Sequence, residues 1–220
     1  MTLYHFNSRR FGLENLQRRR VKVATIADLN DPFEPLCVDL SDQELRKKMR
    51  AWKANLATRY GMLCFSKDWT NPVHWSHYAD KHKGICLGFD IPADEDLLMP
   101  VTYDEMRSVE EAHQLIHTRK GSTTMMKKFL STKFHHWHYE KEHRLFVNLK
   151  DQDPVTGMYF ADFSAQLDLT EVVIGAESDL TREEVKGVLG DLAVGVTVTS
   201  ARLAFKTFEV VTQQLKRMQK

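Results

Sequence analysis

Two short apolar runs constrain the fold most: Gly61–Ser66 (GMLCFS) and Gly84–Phe89 (GICLGF). By composition each reads as a buried strand. The Gly, Cys and Gly of the second run allow close packing. Other segments arrange themselves around this pair. Leu3–Phe6 and Val21–Thr25 read as further strands, with a short helix over Phe11–Arg19 between them. An Asn-, Asp- and Pro-rich turn follows at Asp28–Glu34. Ser41 to about Tyr60 is predicted helical, with Ser41 as N-cap, Glu44 as its capping-box partner, and an apolar face of Leu45, Met49, Trp52 and Leu56. Trp69–Asp80 reads as a loop and a short aromatic helix, and Met99–Tyr103 as a strand. Ser108 to about Lys133 is the longest helical stretch, and Gly121-Ser122-Thr123 is the place where it would break in two.

After Trp137 strands dominate: 145–149, 158–163, 169–174, 195–201 and 205–210. Thr181–Leu192 is a helix between them, capped by Thr181 with Glu184 as partner. This order predicts an α+β chain: a single domain over 1–220, with mixed or antiparallel sheets and flanking helices. Core motifs would occupy 3–149 and a strand-rich part 150–220.

Of the 220 residues, 42% are hydrophobic and 28% charged, which excludes a disordered or collagen-like chain. The three cysteines, Cys37, Cys64 and Cys86, have no CxxC spacing and read as free, reduced core residues. There is no signal-like h-region and no apolar run of about 20 residues, so the expectation is a cytoplasmic protein with no membrane partner. P-loop, GxGxxG, GxSxG and HExxH motifs are absent, which argues against P-loop NTPases, Rossmann dehydrogenases, α/β-hydrolases and zincins.

Four places carry candidate chemistry. His5, in Tyr4-His5-Phe6, suits hydrogen bonding to a ribose hydroxyl or phosphate; an ordinary edge-strand histidine looks the same. Ser66 ends a buried strand, where sheets often open a crevice; a turn serine fits equally. Residues 69–80 hold Trp69, His74, Trp75, His77 and Tyr78, read as an aromatic wall for a flat ligand, a structural cluster, or a metal pair at His74 and His77. The last segment is Phe134-His135-His136-Trp137-His138-Tyr139-Glu140-Lys141-Glu142-His143-Arg144. In extended geometry Glu140 and Glu142 share a face. Their mutual repulsion would raise one of them, and Lys141, His143 and Arg144 would offset that shift. A solvated charged turn is the plainer reading of the same residues.

The combination resembles the bacterial domain of unknown function 2971 family. The resembling residues are Leu3–Phe6, Leu29–Glu34, Leu63–Ser66, Trp75–Ala79, Lys83–Asp90 and Tyr139–Leu145. Their order also resembles the ADP-ribosyltransferase superfamily: a first-strand His, a mid-chain strand ending in Ser, and a late glutamate. That resemblance implies a split two-sheet core, NAD as substrate, and a protein or nucleic acid as acceptor. It implies that His5 contacts the adenosine ribose or phosphates, with Tyr4 beside it. It implies Ser66 on the nicotinamide-ribose side, Glu142 as catalytic glutamate and Glu140 in the substrate-side position. Ser66 is followed by Lys67 and Asp68, a departure from the common S-T-S pattern. By residue type, Trp75 or Tyr78 suits stacking on nicotinamide, and Arg144 or Arg9 the pyrophosphate. A toxin or defence role is compatible with such a protein. The alternatives are a non-catalytic module binding nucleic acid or protein, and a metal-dependent hydrolase or nuclease.

The formal charge of +1 hides segregated blocks. Residues 90–111 hold eight acids against Arg107, while 119–144 hold seven Lys or Arg against Glu140 and Glu142. Residues 9–22 add six bases against Glu14. Basic blocks near His5 and Glu142 suggest an anionic ligand.

Overall fold

The computed structural model describes residues 1–92, 98–118 and 123–215. In chain order the elements are β1 (Thr2–Asn7), α1 (Arg9–Arg18), β2 (Arg20–Thr25), α2 (Gln43–Ala57), β3 (Tyr60–Ser66), α3 (Pro72–Tyr78) and β4 (Ile85–Asp90). Then come β5 (Leu98–Pro100), β6 (Thr102–Asp104), α4 (Val109–Thr118), α5 (Thr123–Leu130), β7 (Thr132–Phe134) and β8 (Glu142–Asn148). The chain closes with β9 (Tyr159–Asp162), β10 (Asp168–Ile174), α6 (Arg182–Leu189), β11 (Thr197–Leu203) and β12 (Val210–Thr212). The class is α+β, as the element order predicts. Contacts group the residues into two compact units, each discontinuous in sequence.

The first unit comprises 1–22, 65–94 and 160–220. Its strands run in the order β12-β11-β10-β4-β1. β4 pairs antiparallel with both β1 and β10, which buries it completely between them up to Phe89. β10 and β11 are parallel, joined through α6, whose Thr181–Glu184 capping box forms as predicted. A core of Trp75, Ala79, Cys86, Val173, Ala201 and Val210 packs behind these strands. Gly84 is required by close approach: a Cβ there would stand 2.0 Å from the Asn7 carbonyl oxygen.

The second unit comprises 23–64 and 95–159. The part of β2 in this unit pairs with β3, β3 with β8, and β8 with β5. β6 and β7 form a separate parallel pair. Leu45, Met49 and Leu56 of α2 are buried as the spacing predicts, Leu45 and Met49 against Ala112, Met125 and Phe129. Trp52 meets Phe129 edge to face at 5.8 Å.

Three local expectations need correction. Ser41 is not the N-cap of α2. Asp42 is, its Oδ1 accepting from the Leu45 N–H at 2.7 Å, while the Ser41 hydroxyl donates to Asp39. The 99–103 strand is two short strands, β5 and β6, meeting at Val101. The 205–210 strand shrinks to Val210–Thr212, and 205–208 form a bend. Gly121 and Ser122, proposed to break the long helix, lie outside the described residues; α4 and α5 flank them.

Candidate functional site

The second unit builds a buried cluster of five charges. β7 supplies Lys133, β8 supplies Glu142 and Arg144, a 3-10 turn over His135–Glu140 supplies Glu140, and the turn before α2 supplies Glu34. All five are 6% exposed or less. The solvated-turn reading of Glu140 and Glu142 therefore does not hold.

The E-x-E pair is not extended. Glu140 ends the 3-10 turn, Lys141 takes a left-handed conformation at φ 45°, and Glu142 begins β8. The two carboxylates still converge, on Lys133: its Nζ donates to Glu140 Oε2 at 2.6 Å and Glu142 Oε2 at 3.2 Å. Lys133 also lies over the Trp137 ring, 4.8 Å from its centroid. Arg144 Nε donates to Glu142 Oε1 at 2.8 Å, Nη1 to the Leu130 carbonyl at 2.7 Å, and Nη2 to Glu34 Oε2. The Glu142 backbone N–H donates to the Tyr103 hydroxyl oxygen at 2.8 Å.

These surroundings set the protonation. Burial alone would push Glu142 up, but Arg144 and Lys133 outweigh it and hold it down at about 2. The expectation that mutual repulsion raises one member of the E-x-E is not met at Glu142. The raised carboxyl is Glu34, lifted by burial against the opposing pull of Arg144 and Lys133. Burial takes Tyr103 up to about 12 and raises the Cys64 thiol, which donates to Glu142.

A cavity of ≈ 490 Å³ opens against this cluster, with Glu34 and Lys133 on its wall. Phe33 and Phe134 border it, 60% and 44% exposed. The described lining carries Asp31, Glu34, Asp39, Asp104 and Glu105 against Arg107 and Lys133. The charge-block expectation of a basic surround therefore needs correction at this cavity. Lys133 and Arg144 are spent on carboxylates, and the wall is acid-rich.

Arg144 is thus a buried ion-pair partner, with its fork committed to Glu142, Glu34 and a carbonyl. The other predicted residues lie in the first unit. Tyr4 is opposite Ser66 and Gly88 in register, and its hydroxyl donates to Glu171 at 3.3 Å. Burial, then Glu171, pushes Tyr4 up to about 12. His5 sits edge-on to Phe65 at 5.8 Å. The Ser66 hydroxyl is engaged by its own turn, donating to the Asp68 carbonyl at 2.8 Å and accepting from the Asp68 N–H at 3.0 Å.

Trp75 is fully buried, its indole N–H on the Trp69 carbonyl at 2.6 Å and its ring among Phe6, Trp69 and His82. As placed, it has no face to offer a ligand. Tyr78 is half-buried between His74 and His77. His74 is buried against Phe6 while His77 is exposed. Arg9 pairs with Asp179. His135 and His138 stack on each other in the 3-10 turn, and His136 on Phe134, so none of them alternates along a strand. Among the described residues no group of three His, Cys, Asp or Glu is placed to hold a metal ion, and none of the three cysteines is in a disulfide.

Sequence reasoning missed Glu34 and Lys133. Glu34 looked like one more acid in a turn, and Lys133 like one more member of a basic block. Each is defined by partners far away in the chain, and no local spacing marks them.

Residues 74–145, about a third of the chain, match the model of a family described as a protein of unknown function (DUF2971). The matched stretch contains Lys133, Glu140, Glu142 and Arg144 but not Glu34, His5 or Ser66. No curated protein and no solved structure matches the chain.

Proposed function

We propose that this chain is an NAD-consuming enzyme of the ADP-ribosyltransferase type, with the carboxylates of the second unit as its catalytic centre. The observation that carries the reading is the convergence of Glu140 and Glu142 on Lys133, a residue that lines the ≈ 490 Å³ cavity. A cavity of roughly 300–1,000 Å³ is the usual size for a small-ligand site. Here it has room for the nicotinamide-ribose end.

The chemistry is a glycosyl transfer. The bond between the ribose C1′ and the nicotinamide nitrogen breaks, and its electron pair leaves with nicotinamide, which becomes neutral. Positive charge builds on the ribose, as in glycoside cleavage. Glu142, ionised at any pH well above about 2, supplies a fixed negative charge to oppose that cation. The acceptor's nucleophilic atom bonds to C1′, and its proton passes to Glu140 or to water. The split two-sheet core and the protein or nucleic-acid acceptor belong to the same proposal.

A second reading has its own observation. Both Glu142 oxygens accept from Arg144 or Lys133, and the residue is only 5% exposed. A carboxylate held this way also suits a purely structural role in a non-catalytic binding module. Nicotinamide release from NAD separates the two: the enzyme reading expects release that Glu140→Gln and Glu142→Gln abolish in folded protein. The module reading expects none from the wild type.

A further inference from the structure

The β11–β12 hairpin of the first unit carries two phenylalanines out into solvent. Its base is seated in the core. Ala201 and Val210 belong to the cluster around Trp75, and the Val210 N–H donates to the Thr70 carbonyl at 2.8 Å. Beyond the Leu203–Val210 pair, the Ala204 N–H closes the hairpin on the Glu209 carbonyl at 2.9 Å. The four residues nearest the tip are Phe205-Lys206-Thr207-Phe208, and the two rings are 89% and 98% exposed. Leu203, at their foot, is exposed as well. Single exposed apolar side chains are ordinary, but two whole rings on one anchored tip mark an interaction surface.

The charges beside the rings say what kind of surface they meet. Arg202 lies over the Phe205 ring, 4.6 Å from its centroid, and its Nη1 donates to the Leu203 carbonyl at 3.0 Å. Lys206 stands between the two phenylalanines in the chain and is exposed. The acid of the tip, Glu209, accepts from Thr207 Oγ1 at 2.7 Å. In the sequence, Lys216, Arg217 and Lys220 follow β12 with no further acid. Aromatic rings flanked by cations suit the boundary of an anionic bilayer, where rings enter the acyl edge and cations stay at the phosphates. Size argues against a second copy or another protein. Two phenylalanine rings offer roughly 300–500 Å², whereas a stable protein interface takes about 800 Å² from each side.

We propose that Phe205 and Phe208 insert into the surface of an anionic lipid bilayer, with Arg202 and Lys206 against its headgroups. The tip lies on the bilayer and does not cross it. Among the described residues no helix is long and apolar enough to span a membrane. The expectation of no membrane partner came from the lack of a spanning run and a signal, and it does not bear on an interfacial hairpin. The inference uses neither the NAD reading nor the cavity of the second unit.

The test is flotation of the full-length protein with phosphatidylcholine vesicles carrying about 30% phosphatidylserine, beside vesicles of phosphatidylcholine alone. Wild type is expected to float with the anionic vesicles and at least about fivefold less with the neutral ones, the scale of one basic side chain at a charged surface. The double variant Phe205→Ser, Phe208→Ser changes only exposed rings, so the core stays as it is. It is expected to weaken partitioning about a hundredfold or more, the scale of two buried aromatic side chains. Lys206→Glu reverses one charge at the tip and is expected to weaken it about tenfold or more. Sedimentation velocity without lipid reads the rival occupant and is expected to be the same for wild type and the double variant. A wild type that does not float, equal flotation on both vesicles, or either variant floating undiminished would overturn the proposal. So would self-association of wild type that the double variant loses. Nicotinamide release, present or absent, leaves it standing.

Discussion

Arg144 and Glu34 lie 110 positions apart in the chain, yet their guanidinium and carboxylate meet with side chains 1% and 2% exposed. Together with Lys133, Glu140 and Glu142 they form a buried cluster whose formal charge is three acids against two bases. Removing one partner would leave a buried charge uncompensated.

Arg144→Met removes one of the two cations, beside Lys133, that pair with both Glu34 and Glu142. Breaking a buried pair from one side costs about 3–5 kcal/mol. Urea unfolding should therefore show a lower midpoint with an unchanged slope. Glu34→Gln keeps an acceptor for Arg144 and should cost less. A loss below about 1 kcal/mol for Arg144→Met would mean that water reaches the cluster and screens it.

Stability should also fall in acid through Glu142. Its carboxyl sits at about 2 in the fold against an ordinary 4.5, so its contribution is complete above 4.5 and lost as pH falls toward 2. Glu34 is raised, so its contribution has the opposite sign: it favours the fold at low pH and fades as pH rises through its folded value. Unfolding free energies from pH 5 down to about 2 should decline in the wild type and flatten in Glu142→Gln, provided that variant folds.

Thiol chemistry reports on the cavity directly. Cys64 and Cys86 are raised well above the ordinary thiol value by burial. Cys37 is pushed up to about 11, is half-buried as Cys64 is, and lines the cavity. An aromatic disulfide reagent should label Cys37 first and slowly, Cys64 more slowly because its thiol is raised further, and the buried Cys86 only on unfolding.

Gly84→Ala tests the first unit separately. The added methyl would stand 2.0 Å from the Asn7 carbonyl and 2.9 Å from the Ala79 backbone, neither of which can move aside cheaply. A loss of about 1–3 kcal/mol is expected, measurable by thermal unfolding, because overpacking against backbone forces main-chain shifts.

Much of the fold was legible because it is written locally. The apolar runs at 61–66 and 84–89 became β3 and β4, and the Thr181–Glu184 box caps α6. Ser41 misled because Asp42, one residue on, offers a carboxylate to the same turn. The site was half legible. Glu140 and Glu142 drew attention by spacing, but their burial comes from Lys133 and Arg144, and Glu34 comes from a turn over 100 residues upstream. Those partnerships are tertiary, and no window of the sequence contains them.

The most direct measurement is nicotinamide released from NAD by purified protein, wild type beside Glu140→Gln and Glu142→Gln, each with its fold checked by circular dichroism. Wild type should release nicotinamide, and folded Glu142→Gln should do so slower by a factor of about 10² or more, the scale for losing a group that stabilises developing charge. A well-folded wild type that releases none, or a folded Glu142→Gln that keeps full activity, would contradict the account.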